Sequence, residues 1–158
     1  MNLSTQLVVA LSGLSPAELA LPAARFAAVR SAFVDVGKEQ GIDPALLAAV
    51  AWSESAFDPN VVNSIGATGL MQLIPANFKR YGIEANPKDP VANVRAGARD
   101  LLAKGLRTKP FRKVMQGYNG LIIGNNTPEV DAKQLAAFNV YFNRILGRWA
   151  FLSLTGAL

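Results

Sequence analysis

The chain has 158 residues, of which 51% are hydrophobic and only 17% are charged, so it can bury a substantial core and is not a disordered segment. It has neither cysteine nor histidine, which excludes disulfides, catalysis by cysteine or by a serine–histidine pair, and the usual catalytic zinc sites. The net charge of +5 suits an anionic partner such as nucleic acid, a membrane surface or an acidic polymer, although solubility alone explains it equally well.

The first 40 residues carry an apolar stretch followed by a helix signal. No basic residue precedes the stretch from Leu7 to Leu14, which makes it a poor secretory signal, and it is too short to span a bilayer. Ser15-Pro16-Ala17-Glu18 has the pattern of a capping box, in which a serine and a glutamate three residues later satisfy each other's backbone amides. We expect a helix from this box to about Gln40, interrupted near Pro22 and bent at Gly37.

Five further helix starts follow, each marked by a proline and most by a capping side chain. The predicted helices run from Asp43-Pro44 to about Ser55, from Pro75 to Gly82, from Asp89-Pro90, from Pro110 through Tyr118, and from Thr127-Pro128. Residues 56–69 are predicted to form an ordered loop, and strand-like alternation is essentially absent. We therefore predict a single all-α globular domain over residues 1–158, with an N-terminal helical part (1–40), a motif-bearing part (41–148) and an apolar tail (149–158).

Glu54 is the candidate catalytic acid. It follows Leu47, Val50 and Ala51 at helical spacings and so projects from the apolar face of its helix. Desolvation on that face raises the pKa of a carboxyl group, as a general acid that works near neutral pH requires. From the helix alone, the alternative is a structural glutamate that bends to solvent or bonds an amide of the following loop.

The loop after this helix carries candidate binding residues. Gly66 and Gly69 permit backbone turns with positive φ or the close approach of a ligand. The amide of Gln72 can both donate to and accept from sugar hydroxyls and acetamido groups. Met71 and Ile74 could form apolar walls of a cleft, although each of these residue types is more often found in a core.

Two other segments have candidate polar residues. Tyr118 and Asn119, which lie between glycines, could bind a carboxylate or a sugar, but alone they are also typical of a turn. Asp58 directly precedes Pro59, where a short polar side chain is expected to cap the turn and not to take part in chemistry.

Taken together, these segments resemble the soluble-type lytic transglycosylases, whose catalytic domain is similar to goose-type lysozyme. The matching residues are Glu54-Ser55-x-Phe57-x-Pro59, Gly66-Ala67-x-Gly69-Leu70-Met71-Gln72-Leu73 with Pro75, Asp89-Pro90 with Asn93 and Gly97, and Tyr118-Asn119-Gly120. The resemblance covers roughly residues 40–145. It implies a lysozyme-like helical domain that cleaves the β-1,4 bond between N-acetylmuramic acid and N-acetylglucosamine in peptidoglycan glycan strands, with no metal and no cofactor.

The resemblance also implies roles for individual residues. Glu54 would act first as the catalytic acid and then as the base, and Tyr118 would hold its carboxyl group. Gln72 and Asn119 would contact the glycan. Asn63 stands where the family usually has a serine that bonds the catalytic carboxyl, so we expect it to take over that support.

Further departures from the family affect the surroundings of the site. Asn77 replaces the usual threonine after Pro75, and Gly117 and Gly120 replace the usual small residues that flank Tyr-Asn. An apolar Leu-Ile-Ile run follows, which changes the expected shape of the cleft wall. Ser55 is predicted to support the loop after its helix.

A single usable carboxylate favours a reaction that needs no activated water. Glu54 would protonate the glycosidic oxygen and then accept the proton of the sugar's own C6 hydroxyl, which closes a 1,6-anhydro ring. The alternatives are a goose-type muramidase on the same scaffold and an inactive structural or assembly protein that binds the wall. A nucleic-acid binder is the weakest reading, because the basic residues are spread over several helices and are not clustered with aromatic residues.

The expected site of action is the periplasm or cell wall. Because no signal peptide or transmembrane segment is recognisable, we expect delivery by a phage virion or by a secretion machine. The apolar residues from Trp149 to Leu158 suggest docking onto the proteins of such an assembly.

Overall fold

The protein is seen in a computed structural model that describes residues 3–158. Within that range the chain forms seven helices: α1 (Leu3–Ser12), α2 (Ala23–Gln40), α3 (Pro44–Ser55), α4 (Pro75–Arg80), α5 (Pro90–Ala103), α6 (Phe111–Asn119) and α7 (Pro128–Thr155). Two isolated bridges, Val62 with Thr68 and Thr68 with Leu73, are the β-type pairings seen there. The predicted all-α class is confirmed. Across residues 3–158, we find no helix with the length and apolarity needed to cross a membrane.

Three helices begin where the sequence predicts, for the expected reason. The side chains of Asp43, Asp89 and Thr127 accept hydrogen bonds from backbone amides two or three residues further on, at 2.9, 2.8 and 3.5 Å. A proline occupies the first helical position in each case, where its missing N–H leaves no partner unsatisfied. These starts are local, so the sequence alone is enough to place them.

The N-terminal prediction is partly wrong. The capping box does form, since the Glu18 carboxylate accepts from the Ser15 amide at 3.0 Å and Ser15 Oγ accepts from the Glu18 amide at 3.3 Å. Only one turn follows, because Pro22 has no amide to continue a helix, and α2 begins at Ala23. The apolar stretch before the box is largely helical and forms most of α1.

Gly37 serves close packing, and α2 runs unbroken past it to Gln40. A Cβ atom at Gly37 would lie 2.8 Å from both the Ile42 carbonyl oxygen and Pro44 Cγ. The missing side chain therefore lets the end of α2 touch the start of α3. A larger residue would push apart the two helices at the base of the core.

The core is built around α3. Its residues from Ala45 to Trp52 are all buried, and α2, α5 and α7 pack against it. Directly after α3, Ala56 and Phe57 both have positive φ, which turns the chain sharply and sends the Phe57 ring back into the core. That ring lies 5.0 Å from the Phe26 ring and 5.9 Å from the Trp52 ring, measured between centroids. The ring contacts of Phe57 compensate for the unfavourable positive φ at Ala56 and Phe57. They also fix the end of the helix that carries Glu54.

The apolar tail packs on the body of the protein and is largely the last part of α7. Trp149 Nε1 donates to the Asp43 carboxylate at 2.7 Å, and Leu152 is 1% exposed within the main core. Arg148, just before the tail, donates to the Trp52 carbonyl at 3.1 Å and lies 4.7 Å from the Trp52 ring centre. Burial lowers the pKa of Arg148 to about 10, yet it stays charged at neutral pH and ties α7 to α3.

Candidate active site

Glu54 lies in the last turn of α3 and is half-buried. Its Oε1 accepts a hydrogen bond of 2.6 Å from the hydroxyl of Tyr141, in the middle of α7. Burial raises the pKa of Glu54, and the bond from Tyr141 partly opposes that rise because it favours the ionised carboxyl. The result is a positioned carboxyl that stays protonated to higher pH than a free glutamate, which suits a general acid.

Tyr118 does not hold this carboxyl, in contrast to the expectation from the sequence. Its hydroxyl donates instead to the Met71 carbonyl oxygen at 2.8 Å. Tyr118 lies near Glu54, since the Glu54 charge adds to burial in raising the pKa of the Tyr118 phenol. Its role in the structure is to fix the loop that forms one wall of the site.

The loop between α3 and α4 is held by buried polar contacts. Ser55 Oγ lies 2.8 Å from the Leu70 carbonyl oxygen, which supports the predicted structural role of Ser55. Asn93 of α5 accepts from the Met71 amide at 2.8 Å and donates to the Thr68 carbonyl at 2.9 Å. The side chains of Ser55 and Asn93 thus pair with backbone groups of the loop and tie it to α3 and α5.

Gly69 in this loop has a φ of +81°, and a Cβ atom there would lie 2.3 Å from Asn93 Nδ2. The glycine is therefore needed both for its backbone conformation and for the close approach of Asn93. The sequence analysis also allowed that the glycine makes room for a ligand, but the structure explains Gly69 without one.

Asn63 and Gln72 both use polar atoms to shape the loop. Asn63 Oδ1 accepts from the amides of Ile65 and Ala67 at 3.0 and 2.9 Å, and its side chain makes no bond to Glu54. The predicted support of the catalytic carboxyl by Asn63 is therefore not seen, because its oxygen closes a turn. Gln72 Nε2 donates to the carbonyls of Val61 and Gly69 at 3.1 and 3.0 Å.

A cleft of about 440 Å³ opens over the carboxyl group of Glu54. Most of the residues predicted for the site line it, namely Glu54, Asn63, Gln72, Ile74, Tyr118 and Asn119. Met71 does not, because its side chain is fully buried and its sulfur packs against α5 where Gly97 leaves room. The prediction of Met71 as a cleft wall is wrong, and the residue belongs to the core.

The cleft also contains a second carboxyl group that the sequence did not point to. Asp100 is 2% exposed and accepts hydrogen bonds from the Tyr81 hydroxyl at 2.6 Å and from Lys104 Nζ at 3.0 Å. Burial together with this bond raises the pKa of Tyr81 to about 12. The negative charge of the Asp100 carboxylate is thus paired with the ammonium group of Lys104. Among residues 3–158 there is no group of three or more acidic residues that could hold a metal ion.

Comparison with known proteins identifies the family that has this arrangement. The family described as "Transglycosylase SLT domain" matches residues 31–138, about two thirds of the chain. This chain belongs to the SLT transglycosylase domain family. The match includes α3 with Glu54, the ordered loop, α5 and α6, and it ends at Phe138, three residues before Tyr141.

Two relatives and one solved structure show how far the similarity extends. A transglycosylase of Enterobacteria phage PRD1 is 34% identical over 58% of this chain and 43% of its own length. Membrane-bound lytic murein transglycosylase F of Marinobacter nauticus is 37% identical over 73% of this chain and 20% of its own. The 70 kDa soluble lytic transglycosylase of Escherichia coli has the same fold, with a TM-score of 0.59 at 20% identity over 80% of this chain and 24% of that one. The chain spans less than half the length of each of these proteins.

In this SLT domain, Tyr141 is the functional candidate that the sequence analysis missed. Its signal was present, because Phe138, Tyr141, Phe142 and Ile145 recur at helical spacing on one face of α7. A tyrosine on a buried face needs a partner for its hydroxyl. The sequence does not show which group that partner is, because Glu54 lies 87 residues before Tyr141 and the two meet only through the packing of α7 against α3.

Replacing Tyr141 by phenylalanine should move the alkaline limb of the pH–activity profile to higher pH. Activity as a general acid falls as pH rises through the pKa of Glu54, and the lost hydrogen bond had been lowering that pKa. We also expect kcat to fall by about tenfold, since a hydrogen bond to a charged group positions the carboxyl. Tyr118→Phe is the matched control, because its hydroxyl bonds a backbone carbonyl. A shift of the limb in Tyr118→Phe and none in Tyr141→Phe would show that the two roles are reversed.

Proposed function

We propose that this chain is a peptidoglycan lytic transglycosylase that cleaves the β-1,4 bond between N-acetylmuramic acid and N-acetylglucosamine without using water. The observation that carries the proposal is the carboxyl group of Glu54, whose pKa is raised by burial and which lies at a cleft of about 440 Å³. Membership of the SLT transglycosylase family and the names of the relatives support the same reaction.

In the first step, Glu54 protonates the glycosidic oxygen while the bond from that oxygen to C1 of the muramic acid breaks. The N-acetylglucosamine part leaves as an alcohol, and an oxocarbenium-like centre develops at C1. The 2-acetamido group of the muramic acid stabilises that centre. The hydrogen bond from Tyr141 then stabilises the Glu54 carboxylate that remains, because a hydrogen bond to the charged form favours it.

In the second step, the Glu54 carboxylate accepts the proton of the C6 hydroxyl of the same muramic acid as its oxygen bonds to C1. The ring that closes is 1,6-anhydro-N-acetylmuramic acid, and Glu54 returns to its protonated form. An intramolecular hydroxyl has a large advantage in effective concentration over an external nucleophile. No other group of the chain has to change its protonation state.

The alternative product is that of a goose-type muramidase, in which water takes the place of the C6 hydroxyl. Inverting hydrolysis needs a second carboxylate to activate water. Asp100 is the second carboxyl group at the cleft, but it already accepts hydrogen bonds from the Tyr81 hydroxyl and from Lys104 Nζ in place of a water. This environment favours the non-hydrolytic reaction.

The products of digested peptidoglycan decide between the two reactions. We expect fragments that end in 1,6-anhydro-N-acetylmuramic acid, which are lighter by one water than muramidase products and unchanged by borohydride. Mass spectrometry before and after borohydride treatment measures this directly. Reducible fragments that carry oxygen from labelled water would make the protein a muramidase and assign the base to a residue such as Asp100. Intact glycan strands after digestion would instead favour an inactive wall-binding protein.

We further propose that the protein acts on the cell wall from a phage virion. The support is the similarity to the transglycosylase of Enterobacteria phage PRD1, in addition to the expectation from the sequence. Delivery by a secretion machine is the alternative. Proteomic analysis of purified particles tests the proposal, and absence of the protein from virions of its source would contradict it.

A further inference from the structure

Four basic residues lie close together between α5 and the first turn of α6. This basic cluster consists of Arg107, Lys109, Arg112 and Lys113. All four are exposed, and none of them lines the cleft that holds Glu54. The sequence analysis treated the basic residues as spread over several helices, yet no acidic residue stands between Asp100 and Glu129 to offset these four. The basic cluster is therefore a separate, strongly positive part of the surface.

None of the four cations has an acidic partner within residues 3–158. The ion pairs found in that range engage other basic residues, namely Arg25, Arg95, Lys104 and Arg144. Arg107 donates to the Gln40 carbonyl oxygen at 2.7 Å, and Arg112 donates to the side chain of Asn139. Both of these acceptors are neutral, so the positive charge of the basic cluster is not compensated within the protein.

Two acidic residues border the basic cluster, and both are already engaged. Glu39 directly precedes Gln40, and its carboxylate accepts from Arg95 at 2.9 Å. The Asp43 carboxylate accepts from the Ala45 amide at 2.9 Å and from Trp149 Nε1 at 2.7 Å. A ligand of the basic cluster therefore has to bring its own negative charge.

Aromatic rings lie beside these cations. Phe111, in the same stretch of chain, and Trp149 of α7 are both partly exposed, and their ring centroids lie 5.6 Å apart. The ring of Trp149 has an apolar body and a polar N–H group that is already hydrogen-bonded. Exposed cations next to such amphipathic rings are typical of protein surfaces that rest on the headgroup layer of a membrane.

We infer that the basic cluster binds the anionic headgroups of a lipid bilayer. A nucleic acid would also supply phosphate groups, but binding of single strands depends on ring faces that are free to stack with bases. Here Arg112 lies over the rings of Phe138 and Phe142, and Phe111 packs against Trp149, so these rings are engaged within the protein. The arrangement favours a lipid surface.

The basic cluster and the cleft lie at opposite ends of α6. This helix runs from Phe111 to Asn119, so its two ends are about 12 Å apart. Arg112 and Lys113 are in its first turn, whereas Asn119 lines the cleft at its other end. A bilayer bound at the basic cluster therefore does not occupy the cleft. The inference goes beyond the proposed function, since it needs no glycan and no catalysis.

The test is cosedimentation of the 158-residue chain with vesicles of two compositions, phosphatidylcholine alone and phosphatidylcholine with about one third phosphatidylglycerol. We expect binding to the anionic vesicles and little binding to the neutral ones. Binding should also be lost between about 0.1 and 1 M salt, over which the Debye length falls from about 10 to about 3 Å. Equal binding to both compositions would overturn the inference.

A pair of double variants separates the basic cluster from the overall charge. Lys109→Gln with Lys113→Gln should weaken binding to anionic vesicles by at least about tenfold, because each lysine near an anionic surface adds to its attraction. Lys79→Gln with Lys88→Gln is the matched control, since both lysines are exposed, lie outside the cleft and make no ion pair within residues 3–158. It removes the same charge and should weaken binding by less than about twofold.

Equal losses in the two double variants would show that net charge alone attracts the protein, and would overturn the inference. So would binding of a single-stranded oligonucleotide that is tighter than vesicle binding at the same salt and is lost in Lys109→Gln with Lys113→Gln, because the basic cluster would then belong to a nucleic acid. Either result leaves the proposed function intact, since cleavage of peptidoglycan is measured without vesicles.

Discussion

Replacing Glu54 by glutamine is expected to reduce lysis of peptidoglycan by about 10²–10⁴-fold, the usual contribution of a general acid. The amide has nearly the same shape, but it cannot donate a proton to the glycosidic oxygen or accept one later. The hydroxyl of Tyr141 can still donate to the amide oxygen, so the fold should remain intact. Turbidity of purified sacculi measures the loss of activity.

The same substitution should raise the stability of the fold at neutral pH. Burial raises the pKa of Glu54 above its ordinary value of 4.5, so the folded protein holds this proton more tightly than the unfolded chain. Stability therefore falls as pH rises from 4.5 through the pKa in the folded state, and a glutamine avoids this cost. The gain in Tm should be present at pH 7 and disappear below about pH 4, where the carboxyl is protonated in both states.

Glu84→Gln is the matched control, because Glu84 is exposed and does not line the cleft. It should change neither lysis nor Tm appreciably. A correctly folded Glu54→Gln protein that lysed sacculi at the wild-type rate would remove Glu54 from the mechanism.

Leu152→Ala should lower the free energy of unfolding by about 2–5 kcal/mol, the usual cost of a cavity left by a buried leucine. Leu152 is 1% exposed near the end of α7, in the segment that the sequence analysis assigned to a partner. Leu154, two residues on, is 52% exposed, and its replacement by alanine should cost no more than about 0.5 kcal/mol.

Urea denaturation of the two variants measures the difference. By the same argument, removing residues 150–158 should destabilise the protein severely, whereas the tail would be dispensable if it served only a partner. Equal and small effects of Leu152→Ala and Leu154→Ala would show that this end of α7 is not part of the core.

The sequence alone determined the features that depend on contacts within a few residues. The helix starts at Pro44, Pro90 and Pro128 follow from a proline at the first position and a capping side chain just before it. The position of Glu54 on an apolar face follows from helical periodicity. The segment after Ser15 shows the limit of this reasoning: the interruption at Pro22 was predicted correctly, but the helix expected between the capping box and Pro22 is only a single turn.

Only the tertiary structure decided which groups meet in the cleft. The sequence offered Tyr118 as the partner of Glu54, but α7 packs along α3 and brings Tyr141 to within 2.6 Å of the carboxyl. The same packing of distant helices buries Met71 against α5 and places Asp100 in the cleft. The physical reason is that a side chain's partner across the core depends on how whole helices pack against each other, and residue spacing along one helix does not encode that arrangement.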